Sequence, residues 1–127
     1  MKKALNTGKV PKPRSPLSLG TIGGDYVFIS GTAAMEVGTY KIVGDTVKEQ
    51  TEYTLNNILH VLEEAGANEK DIVKVNAYLS NKIDFKEFNQ AYEKFFSDPK
   101  PARTTIACDL VGPFLVEIDC IAYIGKK

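Results

Sequence analysis

One arginine lies where the chain leaves a proline-containing break and begins a β-rich run. In Pro101-Ala102-Arg103-Thr104-Thr105, period-two alternation places Arg103 and Thr105 on the same side of a strand. An arginine at the start of a strand can offer its planar guanidinium to a carboxylate in a bidentate geometry that lysine cannot copy. The motif therefore indicates recognition of a carboxylate ligand, a structural ion pair with Glu117 or Asp119, or a solvent-exposed arginine.

Two carboxylates lie on one side of the final predicted strand, residues 115–124. Its other side is uniformly apolar and suited to lie under helices, with Val116, Ile118, Cys120, Ala122 and Ile124. The carboxylate-bearing side is too apolar for a surface that faces only water, because it consists of Leu115, Glu117, Asp119, Ile121 and Tyr123. We expect this second side to be covered by another copy of the chain, with the carboxylates marking a site between subunits.

The elements that position these residues can be predicted from local patterns. Residues 18–22 and 26–30 form a hairpin around Gly23-Gly24-Asp25. A capping box at Thr46 begins a helix that ends at Gly66, and its apolar positions recur every three or four residues. Residues 72–79 form a strand. Asp84 caps a second helix whose aromatic stripe belongs to the core: Phe85, Phe88, Tyr92, Phe95 and Phe96.

Strands at residues 103–108 and 115–124, separated by a turn at Gly112-Pro113, complete the order β-β-α-β-α-β-β. This order predicts one α/β (α+β) domain over residues 1–127, with a mixed sheet and both helices on one face. The apolar character of the other sheet face favours an oligomer.

Composition narrows the classes of function. The chain has 127 residues, 43% of them hydrophobic and 25% charged, with 16 basic and 16 acidic side chains. Balanced charge disfavours a nucleic-acid partner, and the basic residues near the ends are interpreted as solvated termini rather than an RNA-binding patch: Lys9, Lys12, Arg14, Lys126 and Lys127. No segment is apolar and long enough to span a bilayer or resembles a secretion signal, which predicts a cytosolic location.

The two cysteines are predicted to be buried and reduced. Cys108 and Cys120 lack the spacing of a metal motif, and the one histidine, His60, lies far away in the sequence. His60 falls outside the apolar stripe of its helix and receives no catalytic role. We therefore expect no metal and no cofactor.

The chain resembles the RidA/YjgF family along essentially its whole length, with the matching segments in the family's order. Pro101-Ala102-Arg103 followed by Leu115-Val116-Glu117-Ile118 resembles the family's C-terminal signature. Further matches are Ile29-Ser30-Gly31, Asp71-Ile72-Val73-Lys74 and the helix Asn89-x-x-Tyr92-x-x-Phe95-Phe96. Cys108-Asp109-Leu110-Val111 and Ser30-Gly31-Thr32 are most similar to RutC-like members, and the 2-aminomuconate deaminases are a further related group.

This resemblance implies a chorismate-mutase-like fold, a homotrimer with three clefts between subunits, and cofactor-free hydrolysis of imines or enamines that carry a carboxylate. It implies that Arg103 binds the substrate carboxylate and that Glu117 positions or activates water. Ser30, Gly31 and Thr105 would line the cleft, Thr105 largely through its backbone, and Asn89 would form part of its wall.

The chain departs from the RidA subgroup at three pocket positions. Leu17 stands where that subgroup often has tyrosine, Thr105 where it often has cysteine, and Thr32 where it often has glutamine. These differences bear on the substrate more than on the reaction class. Two other functions stay open: an endoribonuclease or translation inhibitor, as assigned to some family members, and a non-catalytic protein that binds small carboxylates.

Overall fold

The computed structural model describes residues 1–125, so the basic residues Lys126 and Lys127 lie outside the described part of the chain. Its strands are β1 (Lys3–Leu5), β2 (Gly20–Gly23), β3 (Tyr26–Thr32), β4 (Ile72–Leu79), β5 (Ala102–Ala107) and β6 (Val116–Tyr123). Its helices are α1 (Val47–Glu63) and α2 (Phe85–Phe95), and short 3-10 helices cover Glu69–Asp71 and Lys82–Asp84.

The six strands form one mixed sheet in the order β1-β2-β3-β6-β4-β5. Only the β4–β5 pair is parallel within this sheet; every other neighbouring pair is antiparallel. The structure therefore confirms the predicted mixed sheet and adds β1, which the sequence analysis did not predict. Strand β1 is three residues long and pairs only with β2, so no alternating pattern could reveal it.

Both helices pack on one face of the sheet, as predicted. The residues of β6 that face them are buried: Val116, Ile118, Cys120 and Ala122. We call the opposite side the outer face. It carries Glu117, Asp119, Ile121 and Tyr123 of β6, Tyr78 of β4, Ile106 of β5, and Tyr26 and Phe28 of β3. Phe28 is 43% exposed, so the outer face has apolar surface without a covering element in the single chain.

Helix α1 begins with the predicted capping box. The Thr46 side chain accepts a hydrogen bond from the Glu49 backbone N–H, and the Glu49 carboxylate accepts one from the Thr46 backbone N–H. Hydrogen bonds to the Glu49 carboxylate from the Asp45 backbone N–H, and also from the Thr46 hydroxyl and backbone N–H, hold the pKa of Glu49 below its usual range. Gly66 ends the turn after the helix at a φ of 70°, where the absence of Cβ avoids strain.

The start of α2 differs from the prediction. Asp84 occupies the cap position, but its side chain makes no capping hydrogen bond. The Asn81 side chain instead accepts a hydrogen bond from the Ile83 backbone N–H and caps the 3-10 turn that leads into α2. Phe88, Tyr92 and Phe96 are buried as predicted, whereas Phe85 is 45% exposed and is not part of the core.

The cysteines and the histidine are placed as follows. Cys120 is buried and Cys108 is only partly buried, which corrects the prediction that both thiols are buried. Both are free thiols.

His60 lies on α1 with partial exposure, and its Nδ1 lies 3.3 Å from Glu63 Oε1. None of the helices in residues 1–125 is long and apolar enough to cross a membrane.

Candidate functional site: two half-sites on opposite faces of the sheet

Glu117 lies on the outer face of β6 beside a strand that has been opened by a bulge. The register between β3 and β6 shifts between Ile29 and Thr32, which places Gly31 next to the carboxylate. A Cβ built on Gly31 would lie only 2.6 Å from Glu117 Oε2. Across β6, Glu117 is in register with Tyr78. The missing side chain at residue 31 therefore makes the room in which the Glu117 carboxylate lies.

The surroundings of Glu117 favour its protonated form. Burial raises the pKa of this carboxyl above its usual range, and the negative charge of Asp119 raises it further. Within residues 1–125, no Lys, Arg or His lies at ion-pairing distance from Glu117. A half-buried carboxylate without a neighbouring cation binds a proton more tightly than an exposed one, which makes it a stronger general base.

Asp119 is held by two side chains of β4 that the sequence analysis missed. Asn76 Nδ2 donates to Asp119 Oδ1 and Tyr78 Oη donates to Asp119 Oδ2, both at 2.9 Å. The bond to Asp119 is the main reason why the pKa of Tyr78 is raised. Period-two alternation along β4, which puts Asn76 and Tyr78 on one side, was the available signal. The network fixes the Asp119 carboxylate two residues from Glu117 on the same face.

Ser30 holds the segment that precedes β2, and Thr32 bonds back to Ser30 within β3. Ser30 Oγ donates to the Ser18 carbonyl at 2.6 Å, and the Ser30 backbone N–H donates to the Leu19 carbonyl at 3.0 Å. Thr32 Oγ1 donates to the Ser30 carbonyl at 2.8 Å. Ser30 therefore ties the segment around Leu17 to β3, close to Gly31 and Glu117. We call Ser30, Gly31 and Glu117 the carboxylate half-site.

Arg103 lies on the other side of the sheet, against α2. It is in register with Val75, a buried residue of the helix-covered face. Its guanidinium carbon lies 4.6 Å from the ring centroid of Tyr92, 5.3 Å from that of Phe88 and 5.8 Å from that of Phe85. The ring faces stabilise the cation without neutralising it.

The Arg103 cation has no carboxylate at ion-pairing distance anywhere in residues 1–125. The alternative of a structural ion pair with Glu117 or Asp119 is therefore wrong for the single chain. The charge stays available to an anion from outside the chain, and the buried rings of Tyr92 and Phe88 hold its position.

Thr105 lies on the same side of β5 as Arg103, as predicted. Its hydroxyl oxygen is buried and has no hydrogen-bond partner among the described atoms. Thr105 and the exposed Phe85 line a cavity of about 270 Å³ between β5 and the start of α2. Asn89, one helical turn after Phe85, is half-buried on α2. We call Arg103, Thr105 and Phe85 the cation half-site. Asn89 is not among the residues that line this cavity, so its place in the wall of the cleft stays a prediction.

The two half-sites do not meet within one chain. Arg103 points to the helix-covered face of β5, whereas Glu117 points to the outer face of β6. Strand β4 lies between β5 and β6, which separates them laterally by about 10 Å at the usual strand spacing. The predicted pair Arg103 and Glu117 therefore cannot act on one small substrate inside a single subunit.

A metal centre is not evident in the structure. No group of three or more His, Cys, Asp or Glu side chains among the described residues could hold a metal ion. The guanidinium and the hydroxyls of the half-sites are groups that can bind a small organic anion.

These features define a class: a two-helix α+β domain whose edge strand carries an unpaired arginine and whose outer face carries a basic carboxylate. The chain belongs to the RidA/YjgF family, because residues 7–124 match the family model described as endoribonuclease L-PSP. A RutC family protein of Pyrococcus abyssi is 38% identical over 96% of this chain and 97% of that protein.

Two further similarities concern imine chemistry and small ligands. A 2-iminobutanoate/2-iminopropanoate deaminase of Dermatophagoides farinae is 33% identical over 97% of each chain. The crystal structure of E. coli TdcF with bound serine matches with a TM-score of 0.90 and 28% identity, over 97% of this chain and 99% of that one.

Proposed function

We propose that the protein is a cofactor-independent deaminase that hydrolyses 2-imino acids and their enamine tautomers to 2-oxo acids and ammonia. In this proposal the chain forms a homotrimer in which Arg103 of one copy faces Glu117 of the next. One observation supports it above all: the chain carries two complementary half-sites that are separated from each other. Arg103 on the edge strand β5 has no neutralising carboxylate among the described residues, and the carboxyl of Glu117 on the outer face has a raised pKa. The similarity to a named imine deaminase supports it.

The proposed site performs the hydrolysis by binding and proton transfer. Arg103 binds the substrate carboxylate and holds the electrophilic C2 carbon towards the partner copy's half-site. Glu117 takes a proton from water as the water oxygen bonds to C2, and the C=N electron pair moves to nitrogen. That proton then passes to nitrogen, which gives a carbinolamine. Glu117 next moves the hydroxyl proton to the same nitrogen, and ammonia leaves as the C–N bond breaks and the C=O bond forms. Water supplies the oxygen and no electrons are gained or lost.

The reaction can be tested with imines made in place. An amino-acid oxidase supplies the 2-imino acid, and semicarbazide traps whatever imine has not been hydrolysed. We expect the protein to lower the yield of semicarbazone in proportion to its concentration. An unchanged yield with every imine tested would contradict deamination.

The shared site can be tested by mixing two inactive variants. Arg103→Ala and Glu117→Gln are refolded together, so that random trimers contain both. About a quarter of the clefts would then combine an intact Arg103 with an intact Glu117 from different copies, and activity would return to that extent. A site contained in one subunit would leave the mixture inactive.

RNA cleavage is the second candidate, because the matching family model carries an endoribonuclease description. His60, a residue type that often serves in such cleavage, lies on α1 beside Glu63 and outside both half-sites. We therefore expect no RNA cleavage that depends on Arg103. Degradation of a defined RNA by the intact protein but not by Arg103→Ala would favour this candidate instead.

The cytosolic location predicted from the sequence is part of the main proposal, and cell fractionation tests it.

A further inference from the structure

A second cavity, of about 310 Å³, lies beside the carboxylate half-site. It is bordered by the segment before β2, the chain around the end of β3, and α1, and it is partly open to solvent. Its walls are mostly apolar: Val10, Pro11, Leu17, Leu19, Ala33, Met35 and Val61. Ligand cavities begin at about this volume, which is roughly ten times the space of one water molecule. The methyl group of the smallest 2-imino acids would leave nearly all of it unfilled.

The cavity adjoins the carboxylate half-site at one residue, Gly31. Gly31 lines it, and the Glu117 carboxylate lies against the same residue. Leu17, also a lining residue, belongs to the segment that Ser30 ties to β3. Gly31 therefore borders both the cavity and the carboxylate, so a substrate with C2 near Glu117 would have the cavity beside its side chain.

Two cations lie in the lining of this cavity. The Arg14 guanidinium carbon lies 3.6 Å from the ring centroid of Tyr40, and Tyr40 Oη donates to the Lys12 carbonyl at 2.8 Å. Tyr40 therefore holds both the arginine and the segment that carries it. In the described part of the chain, no carboxylate lies at ion-pairing distance from Arg14 or Lys12. An apolar cavity with unneutralised cations is complementary to an aliphatic chain that ends in an anion.

We propose that this cavity binds the substrate side chain and that Arg14 binds a second carboxylate at its end, so that the preferred substrates are 2-imino dicarboxylic acids. The inference rests on the proposed function and names its substrate class. Arg103 binds the carboxylate next to C2, and Arg14 binds the distal one. Leu17, at a position where tyrosine is frequent in the RidA subgroup, contributes an apolar wall to this cavity.

The test compares two imines of equal chain length, one ending in a carboxylate and one ending in a methyl group. In the wild type, kcat/KM should be higher for the dicarboxylic imine. Arg14→Gln should lower this preference by roughly tenfold or more, on the scale of one lost charge interaction in a partly enclosed site, while hydrolysis of the methyl-ended imine changes little. Lys48→Gln, which removes an exposed cation on α1, is the matched control and should keep the preference. Equal preference in wild type and Arg14→Gln would overturn the proposal.

A binding measurement separates this inference from the proposed function. The unreactive 2-oxoglutarate and 2-oxopentanoate, which have five carbons each, are titrated into the wild type and Arg14→Gln by calorimetry. Tighter binding of 2-oxoglutarate that is lost in Arg14→Gln supports the cavity proposal even if no imine is hydrolysed. Equal affinities for both acids in the wild type overturn it even if imines are hydrolysed.

Discussion

The carboxylate of Glu117 occupies the space that any side chain at residue 31 would need. A Cβ on Gly31 would lie 2.6 Å from Glu117 Oε2, closer than Cβ atoms come to other atoms in folded proteins, and at a tight 3.2 Å from Glu117 Cδ. The bulge in β3 brings the two residues together, because it shifts the register between Ile29 and Thr32. Gly31 therefore sets the position of the carboxylate.

Replacing this glycine should displace Glu117 without unfolding the chain. In Gly31→Ala the carboxylate must move away from the new methyl group, so imine hydrolysis should fall at least tenfold while the melting temperature changes little. Gly23→Ala is the matched control, because a Cβ there meets only Phe28 at an ordinary 3.7 Å. Full activity in Gly31→Ala would show that the position of Glu117 is not critical.

Arg103→Lys tests whether guanidinium geometry is needed. Lysine keeps the charge but cannot form two parallel hydrogen bonds to a carboxylate, so it should be nearly as harmful as Arg103→Ala. We expect a loss of about 2–4 kcal/mol in transition-state stabilisation from kcat/KM. Lys86→Ala, an exposed cation on α2, serves as control. Wild-type kinetics in Arg103→Lys, with the oligomer intact, would remove the proposed role.

Glu117→Gln separates an enzyme from a protein that only binds carboxylates. Glutamine keeps the shape of the side chain but removes the basic oxygen, so hydrolysis should fall by roughly 10²–10⁴-fold. Affinity for an unreactive 2-oxo acid should change little, because Arg103 provides the binding charge. Parallel losses of turnover, ligand affinity and melting temperature would instead indicate a structural role for Glu117.

The pH profile should depend on Asp119. Glu117 acts as a base only when ionised, so kcat/KM should rise with pH through its raised pKa. Asp119→Asn removes one of the two causes of the raised pKa, so the acid limb of the kcat/KM profile should move to lower pH. The pKa of Glu117 should stay above the usual range of a carboxyl, because its burial persists. Asn76→Ala, which removes one hydrogen bond to Asp119 but no charge, should move the limb less. An unchanged limb in Asp119→Asn would contradict this electrostatic link.

The outer face should hold the oligomer together. Light scattering at micromolar concentration should give about three times the chain mass of 14.0 kDa. Phe28→Lys places a charge in the apolar surface of the outer face and should dissociate the trimer. Val37→Lys, at a matched 44% exposure in the loop after β3, should leave it intact. A wild-type monomer would contradict both the trimer and a cleft between copies.

Local sequence patterns predicted most of the elements and both faces of the sheet. The capping box at Thr46 and the alternation along β6 depend on residues close in sequence, and both are found as expected. The prediction that Phe85 belongs to the core is wrong. Helical spacing shows that Phe85 lies on the same side of α2 as the buried aromatic residues, but it does not show how far the sheet that covers this side extends. That sheet ends at β5, and Phe85 lies near this edge.

The separation of Arg103 and Glu117 could not be predicted from local patterns. Strands β5 and β6 are consecutive in the chain, and consecutive strands are usually neighbours in space. Here β4 lies between them, since β5 pairs with β4 in parallel and β6 pairs with β4 from the other side. The polar contacts of Asp119 depend on the same arrangement, which is set by long-range pairing.

The placement of the half-sites on opposite faces has a consequence for the newly made chain. In the proposed mechanism, a folded monomer has both halves in place and yet no competent centre. Catalysis then begins only when copies associate, so the activity of each chain should decline on dilution as the trimer dissociates. The expression level would thus control the activity of each chain as well as the amount of protein. A variant with a slightly weaker interface between subunits would look like a catalytic defect when the protein concentration is low.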